Sequence, residues 1–140
     1  MMTLETLRSR SAAGERFRFM YFWGHRPHAK GVLSASCFSQ WFASPFVVEG
    51  VRYATAEHWM MAEKARLFRD DVALARVLAK DDPSAAKAAG RSVRDFDEEH
   101  WVRHRFDVVV RGNLAKYGQT PALRDFLLGT GDQVLVEASP

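Results

Sequence analysis

Glu57 and Lys64, an acid and a base seven positions apart, are the pair in this chain whose types and spacing suit chemistry. At about 100° per residue in a helix they share one arc with Met60, Met61, Leu67 and Phe68, while Glu63 and Arg66 point the other way. Burying a charge costs several kcal/mol unless it is paired, so opposite charges in an apolar stripe need a reason. Either the two pair as structure, or they face a cavity. There a carboxylate can act as base or electrostatic stabiliser and a desolvated amine as nucleophile.

Positioning that pair requires a helix. The stretch Tyr53 to Phe68 supplies one, with Thr55 as N-cap, Glu57 in the first turn and no Pro or Gly. Ahead of it, Phe46-Val-Val, Glu49-Gly50 and Val51-Arg-Tyr53 read as a β-hairpin in which Gly50 supplies the positive φ. Residues 17–23 begin with alternation and become a continuous aromatic run, which predicts a strand entering the core. Residues 24–31 form a loop. Leu33 to Phe46 mixes hydroxyl residues with Phe38, Trp41 and Phe42, which suits either a core-packed loop or a pocket for a flat heterocycle. Cys37 is expected to be inert packing rather than a nucleophile with His58 or His25 as its base.

Downstream, cap signals predict helices over 72–80, from Asp82-Pro83 to Gly90, from Asp97 to about Lys116 and over 122–128, followed by a strand over 133–138. Arg91, just past a glycine that closes a helix, is placed either to fork onto a phosphate or to stand free at the surface. Trp101, Arg105 and Gly112 share a face, for packing or for a groove.

The 140 residues, 47% hydrophobic and 12% aromatic, suit one domain with a real core. A net charge of +3 with scattered basic residues favours an anionic ligand such as a phosphate over nucleic acid bound by charge alone. One cysteine excludes an internal disulfide framework, and no Cys/His spacing makes a zinc site. No metal or cofactor is expected. Without 18 consecutive apolar residues or a signal-like run, no membrane span is expected and a cytoplasmic setting is the default. Residues 1–16, polar and Ser/Arg-rich, read as a flexible arm. The stop at Pro140, directly after a strand that looks interior, predicts a shortened form of a longer sequence.

Phe22-Trp23, Cys37-Phe-Ser-Gln-Trp-Phe42, Tyr53-Ala-Thr-Ala-Glu57-His58-Trp-Met-Met61 leading to Lys64-Ala65, Ala89-Gly-Arg91, Ala115-Lys-Tyr117 and the run from Leu127 to Pro140 occur in that order. Together they resemble the NADAR, or YbiA-like, family. The resemblance implies an α+β fold, a compact, mainly helical domain with a small sheet over 17–140. The family pattern continues past Pro140 with an acidic residue and a Trp-Gly pair that this chain does not include.

The resemblance also implies N-glycosidase activity. Some members act on phosphorylated ribosylamino-pyrimidines, early intermediates of riboflavin synthesis, and release ribose 5-phosphate; others remove ADP-ribose from modified guanine. Nucleic acid would be a partner only under the second activity, and a non-catalytic nucleotide or ADP-ribose module is a further alternative. Breaking the bond develops oxocarbenium character at C1 and negative charge on the departing nitrogen. Glu57 is then general base or stabiliser, and Lys64 nucleophile or clamp. Phe22, Trp23, Phe38, Ser39 and Trp41 would hold the heterocycle, with His58 as a polar contact and Arg91 for the phosphate. Desolvation would lower the Lys64 pKa and a close Glu57 would raise it, a balance that the sequence leaves open.

Overall fold

The computed structural model describes residues 2–140, and the molecule is arranged around the predicted central helix. This helix, α2 (Ala56–Leu67), opens on Thr55, whose hydroxyl accepts from the His58 N–H. The hairpin before it pairs β2 (Phe46–Val48) with β3 (Val51–Tyr53) in antiparallel register, and Glu49 and Gly50 both take positive φ at its turn. That geometry is what a two-residue turn between right-twisted strands demands. Around α2 pack α3 (Asp71–Leu78), α4 (Pro83–Arg91) and α5 (Glu98–Gln119). The last two elements are α6 (Pro121–Leu128) and β4 (Val134–Glu137).

Because three helices cover it, α2 is buried nearly all round rather than along one stripe. Glu63 and Arg66, expected to face solvent, instead pair with each other at 2.6 Å, and Arg111 of α5 closes on Glu63 at 3.0 Å. The apolar interior has two parts. One gathers Phe46, Tyr53, Trp59, Met61, Val77, Trp101 and Val108 around α2. The other gathers Cys37, Phe38 and Leu123 with Phe22, Phe42, Tyr117 and Leu135.

Long-range pairing links the ends of the described chain. Strand β1 (Phe19–Phe22) lies parallel to β4, with Phe19 opposite Val134 and Phe22 opposite Glu137. Contrary to the predicted core strand, β1 alternates: Met20 and Phe22 turn inward while Phe19 and Tyr21 stay exposed. Within residues 1–16, expected to be a flexible arm, lies the helix α1 (Leu4–Ala12), which has a Thr3 cap and no buried residue; Met1 lies outside the described residues. The ambiguous segment after Leu33 contains a short 3-10 helix, Ala35–Phe38.

Two glycines serve close approach rather than turns. Gly90, expected to close its helix, lies inside α4, where a Cβ would overlap the Met61 side chain. Gly112 backs onto Trp59: a Cβ there would lie 2.8 Å from the indole nitrogen, which donates to the Val108 carbonyl at 2.7 Å. That hydrogen bond leaves the ring no easy retreat. Gly112→Ala is therefore expected to cost about 1–3 kcal/mol, the usual range for overpacking, read as a lower denaturant midpoint. An unchanged midpoint would mean that Trp59 is free to move.

Candidate active site

A cleft of about 280 Å³ opens beside the second core, against α2 and α4, lined by Phe22, Phe38, Ser39, Gln40, Trp41, Glu57, Lys87 and Glu137. Each wall comes from a different part of the chain. The parallel register brings Glu137 opposite Phe22 at one side. The segment after the 3-10 helix supplies Phe38 to Trp41 at another, with Phe22 and Phe38 meeting edge to face at 5.8 Å. The N-terminus of α2 supplies Glu57, whose N–H donates to the Gln40 carbonyl at 3.0 Å and so ties that segment to the helix.

Glu57 is 5% exposed. Burial pushes its carboxyl above the ordinary carboxylate range, against smaller opposing pulls from Lys87, the Trp41 indole, Arg91 and Lys64. A raised carboxyl in a ring-lined cleft is the environment expected of an acid–base group. Among the described residues, Lys64, Lys87 and Arg91 take part in no ion pair, because none has a carboxylate oxygen in contact. One acid is thus surrounded by three cations.

Of the residues expected from sequence, Glu57, Phe22, Phe38, Ser39 and Trp41 do line one cleft. Lys64 stands outside its lining, with the ammonium 4.3 Å from the centre of the Phe96 ring. Its pKa is lowered by burial and then by Arg91, with Glu57 opposing, so desolvation prevails. Arg91 ends α4, exposed and near enough to act on both Glu57 and Lys64. Trp23 is 66% exposed and does not line the cleft. His58 is displaced from the expected role: it is fully buried, with Nδ1 on the Thr55 hydroxyl and Nε2 on the Lys80 carbonyl, both at 2.8 Å. With both nitrogens satisfied inside the fold, it has nothing to offer a substrate.

Three lining residues escaped the sequence reading: Gln40, Lys87 and Glu137. Lys87 lies one turn before Arg91 on the same face of α4, and its ammonium is 5.8 Å from the centre of the Trp41 ring. Glu137, which accepts from the Ser139 hydroxyl at 3.2 Å, adds a second carboxylate to the cleft. The spacing signal for Lys87 was present; Glu137 depends on a strand pairing that no local pattern reveals. Cys37 is buried packing, with its thiol pushed up by burial.

The NADAR domain pattern matches residues 21–140. The chain belongs to the NADAR family. An N-glycosidase of Acanthamoeba polyphaga mimivirus is 37% identical over 131 residues, covering 90% of this chain and 75% of that protein. N-glycosidase YbiA of Escherichia coli is 30% identical over 100 residues, covering 71% of this chain and 61% of that protein. The NMR structure of E. coli YbiA superposes with a TM-score of 0.74 at 25% identity, over 89% of this chain and 69% of that one. The α+β architecture is therefore that of the NADAR fold, and the kinship places the chain among hydrolases acting on N-glycosyl compounds. No helix among the described residues is long and apolar enough to cross a membrane.

Proposed function

We propose that this chain hydrolyses the N-glycosidic bond of a phosphorylated ribosylamino-pyrimidine, releasing ribose 5-phosphate. One observation carries the reading: a buried carboxylate in a ring-lined cleft is surrounded by three cations that, among the described residues, have no carboxylate partner. A flat base would lie against Trp41 and the Phe22–Phe38 pair, and a phosphate would supply the counter-charge that Lys64, Lys87 and Arg91 lack. Water attacks C1 as the C1–N bond breaks. Glu57 takes the water proton or stabilises the developing oxocarbenium charge, and the departing nitrogen regains a proton. Glu137, across the cleft, is the candidate to deliver it.

Lys64 acts here as a clamp on the ribose or phosphate, because its ammonium rests on Phe96 outside the cleft lining. Borohydride trapping of a covalent adduct at Lys64 would replace the clamp by a nucleophile. Three free cations also accommodate a diphosphate, which keeps ADP-ribosyl-guanine as the second substrate to try. The purified chain is incubated separately with ribosylamino-pyrimidine phosphate and with ADP-ribosylated guanine, and release of ribose 5-phosphate from the first and of ADP-ribose from the second is measured. Ribose 5-phosphate from the first is the expected result. Stabilisation by either compound without product would leave a binding module in place of an enzyme.

A further inference from the structure

The most deeply buried charge-bearing side chain of the molecule lies behind the cleft, in none of the roles above. Lys116 of α5 is 0% exposed, and its ammonium donates to the carbonyls of Cys37 at 2.6 Å and Ser39 at 3.0 Å. The Phe42 and Tyr117 rings flank it, with centres at 5.8 and 5.1 Å. Among the described residues no carboxylate pairs with it. An ammonium without a counter-ion is a costly way to fill space, whereas charge-assisted bonds to carbonyls make a stiff joint.

Both carbonyls belong to the segment that carries Phe38, Ser39, Gln40 and Trp41 into the cleft. The same segment is held by Glu57 through the Gln40 carbonyl, and the Trp41 N–H donates to the Ser39 hydroxyl at 3.2 Å. We propose that Lys116 is a positioning residue whose charged ammonium fixes the 37–41 segment and so sets Trp41 against Glu57 and Lys87. The proposal rests on the glycosidase reading for its catalytic meaning, though not for its structural content.

Burial brings the Lys116 pKa down to about 8, with the Cys37 thiol opposing. The titratable groups facing it are that thiol and the Tyr117 hydroxyl, which donates to the Cys37 carbonyl at 3.4 Å; burial pushes both of them upward. Loss of the proton leaves an amine that still donates, but without charge assistance or attraction to the two ring faces. The joint loosens and Trp41 shifts relative to its neighbours.

The test follows Trp41 rather than turnover. Tryptophan emission is recorded from about pH 7 to about pH 10 in the wild type, in Trp41→Phe, and in Lys116→Met and Lys116→Arg, with circular dichroism to verify folding. A wild-type transition centred near pH 8, missing from Trp41→Phe and from both Lys116 variants, is the expected result. Arginine stays charged throughout, so if the methionine variant does not fold, the arginine variant alone decides. A transition that survives in a folded Lys116 variant, or none in the wild type, overturns the proposal. With ribosylamino-pyrimidine phosphate as substrate, KM is expected to rise over the same pH range more than kcat changes. An intact emission transition without hydrolysis at any pH would sink the glycosidase reading and leave the joint standing.

Discussion

Glu57→Gln is expected to lower kcat/KM on ribosylamino-pyrimidine phosphate by about 10²–10³-fold and at the same time to raise stability at neutral pH. The amide keeps the shape and hydrogen-bonding capacity of the side chain but can neither take a proton nor carry negative charge. The stability gain follows from the direction of the pKa shift. A carboxyl whose folded pKa lies above its unfolded value, about 4.3, stabilises the fold in its neutral form at low pH. That contribution is lost as pH rises through the folded value. At pH 7 the ionised side chain thus weighs against folding, and the amide removes the burden. Release of ribose 5-phosphate and a thermal melt, measured on the same preparation, check both halves. Undiminished turnover would end the assignment of Glu57. Lost turnover without a gain in stability would mean that the cations already neutralise the cost of burying it.

Lys87→Met is expected to raise KM about 10- to 100-fold, equivalent to roughly 1.4–2.7 kcal/mol of binding. Among the cations, Lys87 exerts the largest pull on the Glu57 carboxyl. It also lines the cleft beside Trp41, where its ammonium is placed to meet a phosphate. Methionine preserves the apolar stem without the charge. Because Lys87 lowers the Glu57 pKa, its removal should also move the acid limb of the pH–rate profile to higher pH. A KM change with an unmoved acid limb would assign Lys87 to the substrate alone. No change in either would remove it from the site.

What could be read from the chain in advance was whatever depends on neighbours along it. The Glu49-Gly50 turn and the Thr55 and Asp82-Pro83 caps all rest on residues within a few positions of one another, and each element begins where those residues place it. Glu57 stood out because an acid in an apolar stripe is anomalous for a core, whereas the Phe38–Trp41 segment suited core packing and a pocket equally and is seen to line the cleft only in the fold. His58 was misread for the opposite reason. A histidine beside an acid in an apolar stripe looks functional, and only the distant Lys80 carbonyl shows where its second nitrogen goes. Lys116 shares a buried face with Trp101, Val108 and Gly112, a lysine in an apolar stripe like Lys64, and the same rule should have flagged it. Glu137 and the exposed side of β1 were out of reach, since both follow from a register between strands far apart in the chain.

That register has a consequence for synthesis. Phe19 pairs with Val134, 115 positions later (134 − 19), so at translation rates of about 5–20 residues per second β1 leaves the ribosome roughly 6 to 23 s before its partner exists. The helical middle has all its contacts in hand by then, whereas the side of the cleft made by Phe22 and Glu137 can assemble only after release of the last strand. In the interval the Met20 and Phe22 side chains and the open edge of β1 lack their cover, and the newborn chain should be a client of holdase chaperones until β4 arrives.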